Sequence, residues 1–149
     1  MNTTLQDRIE RELTLKAPIE RVFRALTDAG ELAKWFPKAI EGRVAPGETA
    51  VFDFGEYGKA PVHVVAVEPF SYFAFRWVPG SVPFRGDPLS RPNTLVEFRL
   101  EEVEGGTRLR LTESGFASLP AEEHAKSLEE NTQGWDSELA SLVRFVEGA

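Results

Sequence analysis

The stretch Ser118–Val146, SLPAEEHAKSLEENTQGWDSELASLVRFV, decides how the chain is read. Ser118, Leu119 and Pro120 predict a helix start: a hydroxyl N-cap, then a proline in the first turn, where its missing N–H costs nothing. Ala121, Ala125, Leu128, Thr132, Trp135, Leu139, Leu142 and Val146 follow at steps of four and three. That is one stripe of a long amphipathic helix. Glu122, Glu123, Lys126, Glu129, Glu130, Asp136 and Glu138 fall mostly off the stripe and are expected to face water. Gly134 lies mid-helix, where glycine costs ~1 kcal/mol relative to alanine; a close approach by another segment would explain it. The rest of the chain is expected to form the surface this stripe lies on.

Upstream, Arg8 to Lys16 alternates. Ile9, Arg11, Leu13 and Leu15 share one face of a strand whose other face is wet. Ala17-Pro18 opens a short helix with the stripe Ile19, Val22, Phe23 and Leu26. Asp28 and Glu31, at capping-box spacing, open a second that ends near Trp35 and Phe36, before Pro37. Short strands follow at Ala39–Val44 and Glu48–Phe54, joined by an Ala45-Pro46-Gly47 turn with proline and glycine in type II positions. Pro61–Val67 and Tyr72–Val78 pair around Pro69-Phe70. As a two-residue loop these put Val62 opposite Trp77, Val64 opposite Phe75 and Ala66 opposite Phe73. The proline- and glycine-rich Pro79–Asn93 is long for a connection in a compact domain, and such loops are often functional. Thr94–Val103 and Thr107–Glu113 form a second hairpin, with Gly105-Gly106 as a type I′ turn signal. That turn sets Leu100 opposite Leu111 and Phe98 opposite Glu113, with Val96, Leu109 and the carboxylate of Glu113 also inward. The order predicts one α+β domain over residues 1–149: a curved antiparallel sheet of about seven strands, two short helices after strand one, and a long C-terminal helix.

The 149 residues include no cysteine, which excludes disulfide scaffolds, thiolate metal sites and cysteine nucleophiles, and fits the cytoplasm. The formal charge of -7 argues against nucleic acid and anionic membrane surfaces as partners. No stretch approaches the ~20 apolar residues of a membrane span, and the polar start, Met1 to Glu12, does not read as a signal peptide. The two histidines, His63 and His124, stand apart, with no nucleophile–base–orienter set and no ligand-spaced metal motif. No catalytic residue, metal or cofactor is therefore expected. The oligomeric state, monomer or homodimer, is open.

Four stretches carry a resemblance. They are APIERVFRALTDAGELAKWF from Ala17 to Phe36, Phe75-Arg76-Trp77 followed by Pro79, GGTRLRLTESG from Gly105 to Gly115, and GWDSELASL from Gly134 to Leu142. In this order they resemble the helix-grip fold of the START/Bet v 1-like superfamily, also called SRPBCC. Within it they resemble the heat-shock protein 90 ATPase activator homologue (C-terminal domain) family. The resemblance implies a cavity between sheet and long helix, of the kind that holds lipids, hormones or polyketides. It also implies a co-chaperone role as one alternative and a cyclase- or hydrolase-type cavity enzyme as another, for which the inward Glu113 is this sequence's own candidate acid or base. Fold alone cannot choose among them.

The first reading is binding of a hydrophobic or amphipathic small molecule. Its expected contacts are Trp35, Phe36, Phe52, Phe54, Phe75, Trp77, Phe98 and Trp135, with Leu111 and Leu139, although the same aromatics could equally fill a core. Trp35 and Phe36 are expected at the entrance. Arg11 and Glu113 fall on apolar faces by parity, and in the resembled fold their strands are neighbours. They are expected to pair, either as a polar end to the cavity or as a structural ion pair.

Overall fold

The computed structural model of the chain describes residues 7–79 and 86–148. Residues 80–85, including Pro83 of the Pro79–Asn93 connection, lie outside the described residues, as do the first six residues of the polar start. Seven strands form one antiparallel sheet: β1 (Arg8–Leu15), β2 (Ala39–Glu41), β3 (Thr49–Asp53), β4 (Lys59–Glu68), β5 (Tyr72–Trp77), β6 (Thr94–Val103) and β7 (Gly106–Ser114). Their order is β1-β7-β6-β5-β4-β3-β2, so the two edges are the strands on either side of the helices α1 (Ile19–Thr27) and α2 (Ala29–Leu32). Those helices carry the chain from one edge of the curved sheet to the other, and α3 (Ala121–Glu147) packs on the inner face. This is the expected helix-grip arrangement.

The alternating patterns fold as their period dictates. Ile9 and Leu15 of β1, Val62 and Val64 of β4, Phe73 and Phe75 of β5, Val96 and Phe98 of β6, and Leu109 and Leu111 of β7 are all buried on the inner face. Burying side chains of this size contributes about 1.5–3 kcal/mol each. The Asp28 carboxylate accepts from the Glu31 N–H at 3.0 Å and caps α2. The Ala45–Glu48 turn closes through Glu48 N–H to the Ala45 carbonyl at 3.1 Å, with Gly47 at φ 83°.

Both hairpins depart from the expected pairing. Between β4 and β5 the loop has three residues. The Ser71 N–H reaches the Glu68 carbonyl, Pro69 takes the second turn position, and Phe70 sits at φ 64°. Proline presets that second position of a type II turn and leaves the next residue left-handed. Val62 still faces Trp77 and Val64 faces Phe75, but a bulge around Val65 follows, so Phe73 faces Val67 instead of Ala66. Between β6 and β7 the loop is Glu104-Gly105, not Gly105-Gly106. Phe70 is the only non-glycine with positive φ among the described residues, so Glu104 does not adopt the type I′ conformation. The register moves by two, setting Leu100 opposite Leu109, Phe98 opposite Leu111 and Val96 opposite Glu113. Gly106 is pinned by a neighbour: a Cβ there would lie 2.0 Å from the Leu15 carbonyl oxygen. Only a residue without a side chain lets β1 and β7 close at that point.

The long helix begins at Ala121, not Ser118. Pro120 pushes Leu119 into extended backbone at ψ 154°. The Ser118 hydroxyl instead donates to the Gly115 carbonyl at 2.7 Å, inside a 3₁₀ turn over Phe116–Ser118. The stripe holds at Trp135, Leu139, Leu142 and Val146, whereas in the first turns His124 and Ser127 are buried while Ala121 and Ala125 are exposed. Alanine carries too little apolar area to choose a helix face.

Candidate functional site

Glu113 is 0 % exposed, and four side chains converge on its carboxyl group. Oε2 accepts from the Trp77 indole N–H at 2.9 Å and the Thr94 hydroxyl at 2.5 Å; Oε1 accepts from the Trp135 indole N–H at 2.8 Å. The Asn131 amide donates to both oxygens, at 2.9 and 3.0 Å. The fold explains the convergence. Trp77 and Thr94 are paired across β5 and β6, and Val96, two residues on from Thr94, pairs with Glu113. Asn131 and Trp135 are four apart on α3 and so share a helix face. None of these partners is a cation, and the donor set suits an acceptor-only carboxylate.

The expected Arg11–Glu113 pair does not form. Glu113 lies opposite Ile9, and Arg11 lies opposite Leu111 two residues further along β1. Arg11 is on the inner face as parity requires, but it sits on an edge strand. Its long side chain reaches the flank of α3, where it grips Asp136 through Nε at 2.7 Å and a second nitrogen at 3.3 Å. That hydrogen bond lowers the Asp136 carboxyl below its ordinary value. An ion pair this open to water adds little stability.

In front of Trp77, Asn131 and Trp135 opens a cleft of about 550 Å³ between α3 and one end of the sheet. Phe36, Phe54, Trp77 and Trp135 wall it, Asn131, Gly134 and Glu138 line it from α3, and Glu56, Tyr57 and Lys59 line its opposite side. Phe36 is the hub of the aromatic wall, with ring centres 5.1 Å from Trp135, 5.5 Å from Phe54 and 5.9 Å from Trp77. Glu113 does not line the cleft; it holds the lining indoles from behind. Of the other expected contacts, Phe52, Phe75, Phe98, Leu111 and Leu139 are in the packed core, away from the cleft. Trp35 is buried too and donates its indole N–H to the Ala25 carbonyl at 2.8 Å, so the expected entrance keeps Phe36 alone.

Gly134 is not crowded by the described residues: a Cβ built on it meets none of their atoms within 4 Å, and the space beside it is the cleft. The sequence reads Gly55–Gly58 as a loop but does not single out Glu56, Tyr57, Lys59, Thr94 or Asn131 as site residues, and it expects Glu138 in water. The spacing of Asn131, Trp135 and Glu138, at i, i+4 and i+7, is the signal that sets them on one face. Glu138 is half-buried, and burial pushes its carboxyl up to about 7 from an ordinary 4.5.

The sign of the consequence follows from linkage. Between about pH 4.5 and 7 the folded state holds a proton that the unfolded state has released, so this group's contribution to stability falls as pH rises through that window. Glu138→Gln removes the penalty. The variant is expected to be more stable than the parent by roughly 1 kcal/mol at pH 8, discounted because the carboxyl is open to water in the cleft, and no more stable at pH 4.5. Melting curves across that range check it.

A second hollow, of about 600 Å³, lies around Tyr72 and is polar. Burial, then the hydrogen bond to Glu97, pushes the Tyr72 hydroxyl up to about 12. The arginines there are already paired: Arg99 with Glu97, Arg108 with Glu101 and Arg110 with Glu12. Among the described residues no group of three or more His, Cys, Asp or Glu stands together as a metal site, and no helix is long and apolar enough to cross a membrane.

Known structures repeat this architecture. The solution structure of the Aha1 dimer from Colwellia psychrerythraea is 25% identical, with 96% of this chain covering 98% of that one at a TM-score of 0.77. DynU16, from the dynemicin biosynthetic locus, is 26% identical over 96% of this chain at a TM-score of 0.77, but this chain spans only 48% of its length. CalU16 from Micromonospora echinospora is 25% identical over 95% of this chain and 66% of its own, at a TM-score of 0.70. No protein of curated function matches in sequence. The sequence profile of one family, described as "Activator of Hsp90 ATPase homolog 1-like protein", matches residues 16–147. A match over nearly the whole chain, on the helix-grip fold, makes this protein a member of the activator of Hsp90 ATPase homolog 1-like family.

Proposed function

We propose that the chain binds a small molecule with a hydrophobic or amphipathic body in the cleft between α3 and the adjacent end of the sheet. The observation that carries this is the aromatic wall of Phe36, Phe54, Trp77 and Trp135, open to a cleft of about 550 Å³ and braced from behind by Glu113. Ligand sites are concave and mostly apolar, with a few placed polar groups. A ligand burying roughly 200 Å² there gains about 5 kcal/mol gross at 25 cal/mol per Å², part of which is lost to immobilisation. Occupants of moderate affinity fit that balance.

The three tryptophans supply the test, because each indole N–H has its own amide-type NMR resonance. On titration with 2-(1-naphthyl)ethanol, the Trp77 and Trp135 resonances are expected to move, while Trp35, which donates to Ala25, stays fixed. No movement at Trp77 and Trp135, or equal movement of all three, rejects the reading. Native mass spectrometry of gently purified protein complements it by identifying the chemical class of any co-purifying molecule.

A second reading rests on the family's description: contact with a chaperone through the outer surface, where Val65, Phe70 and Leu89 are exposed large apolar side chains among the described residues outside the cleft. Chaperone binding that persists in a variant with a blocked cleft favours it.

A further inference from the structure

The direction in which the cleft's hydrogen-bonding groups point bears on the charge of its ligand. The indole N–H groups of Trp77 and Trp135 and the amide NH₂ of Asn131 all end on Glu113. A carboxylate only accepts, so the Asn131 amide must turn its nitrogen toward it, and Asn131 has only its carbonyl oxygen left to offer. Among the described residues the other charged groups of the lining are the carboxylates of Glu56, Glu130 and Glu138 and the ammonium of Lys59, which donates to Glu41 at 3.0 Å. The cleft thus combines aromatic surface with acceptors, while its inner donors are consumed behind it. Electron-rich ring faces attract cations. Among the described residues a ligand carboxylate would meet three carboxylates against the one ammonium of Lys59, which Glu41 already engages, and no unspent indole donor.

On the reading of the cleft as a ligand site, we propose that it receives an amphipathic organic cation, with the apolar body against the indoles and an amine or ammonium group on the Glu138 carboxylate. Glu138 is the acidic group of the lining that burial has partly withdrawn from water, and it follows Asn131 and Trp135 on the same helix face. The groups lining the cleft with it are Glu130 from its own helix, Glu56 and Tyr57 from the turn before β4, and Lys59 at the start of β4. Burial, not these neighbours, is what raises its carboxyl. An arriving ammonium favours ionisation, so binding releases a proton and tightens as pH rises.

The test is calorimetric titration with three probes that share one ring system: 2-(1-naphthyl)ethylamine, 2-(1-naphthyl)ethanol and 1-naphthylacetate. At pH 8 the amine, still protonated there, is expected to bind at least tenfold more tightly than the alcohol, with the carboxylate weakest. The amine's advantage over the alcohol should shrink to under threefold at pH 5.5 in the parent, and at pH 8 in Glu138→Gln. The pH arm needs no variant, so it stands even if the substitution disturbs folding. A carboxylate that binds as tightly as the amine, or an amine advantage unchanged at pH 5.5, overturns the proposal while leaving the cleft a ligand site. Loss of all three probes, the alcohol included, overturns the cleft reading itself and this proposal with it.

Discussion

Glutamine in place of Glu113 is expected to lower the melting temperature by roughly 10 °C. The side chain keeps its shape and loses one acceptor. If the new NH₂ replaces Oε2, it confronts the Trp77 N–H; if it replaces Oε1, it confronts the Trp135 N–H. Thr94 can turn its hydroxyl and accept, but an indole nitrogen only donates. One indole N–H, that of half-buried Trp77 or of buried Trp135, is therefore left without its acceptor in either orientation, at about 1–3 kcal/mol, and the hydrogen bonds that remain lose their charge assistance. The sum is about 2–4 kcal/mol, and for a chain of this length each kcal/mol moves the midpoint by about 2–4 °C. Glu113→Leu strands all four partners and should be worse, about 3–5 kcal/mol, as for other broken buried polar networks. Thermal melts of both variants, with the indole NMR resonances of Trp77, Trp135 and Trp35, decide the point. A melting temperature within 2 °C of the parent for Glu113→Leu would mean that the network does not hold the fold together. In the glutamine variant one of the two cleft indoles should lose its downfield position and the Trp35 resonance should not move.

Much of this arrangement was legible from strand parity. Arg11 and Glu113 were both assigned to inner faces, and both are there, because side chains alternate strictly along a strand. The β6–β7 register was off by two residues, and a slip of two preserves every face, so the buried set stood although each partner changed. Pairing across the core is another matter. Glu113 takes its donors from positions 36, 19, 18 and 22 residues away, on three different elements, and no local pattern encodes that meeting. Arg11 was matched to the nearest opposite charge that strand order allowed, when the flank of α3 offered Asp136 first.

Composition could not separate cleft from core among the aromatics, but position along the elements does so in retrospect. Phe52, Phe75 and Phe98 sit within their strands, beneath α3 or the other rings, where both neighbouring strands and the helix cover them. Trp77 is the last residue of β5, Phe54 follows the last residue of β3, and Phe36 follows α2. Side chains at the ends of elements stand where the covering layers run out, which is where a fold of this kind can open. Asn131 and Glu138 escaped for the opposite reason. On an amphipathic helix polar residues are read as facing water, and a polar residue turned toward a cleft looks the same in sequence.

Gly134 joins these threads, and it carries the largest effect expected on binding. Gly134→Phe should abolish detectable binding of 2-(1-naphthyl)ethylamine, a loss of at least a hundredfold, with a melting temperature at or above that of the parent. Stability alone argues against glycine here. It lies inside a helix of 27 residues, away from either end, and a Cβ would meet nothing within 4 Å among the described residues. Gly134→Ala should therefore gain about 0.5–1 kcal/mol, because alanine loses less backbone freedom on folding and nothing resists its methyl group. No described residue makes the close approach that would justify the glycine, and what lies beside it is the cleft. A residue that sacrifices helix stability where packing asks for none is accounted for by the space it leaves. The two substitutions separate that account from a structural one. Alanine should stabilise and leave most of the binding intact, since one methyl group removes little of a volume of about 550 Å³. The phenyl ring of the larger variant projects from the same helix face as Asn131 and Glu138 and competes with the ligand for the surfaces of Trp77 and Trp135. If Gly134→Phe bound the amine as the parent does, the ligand would have to lie elsewhere, and the aromatic wall would be a packing feature only.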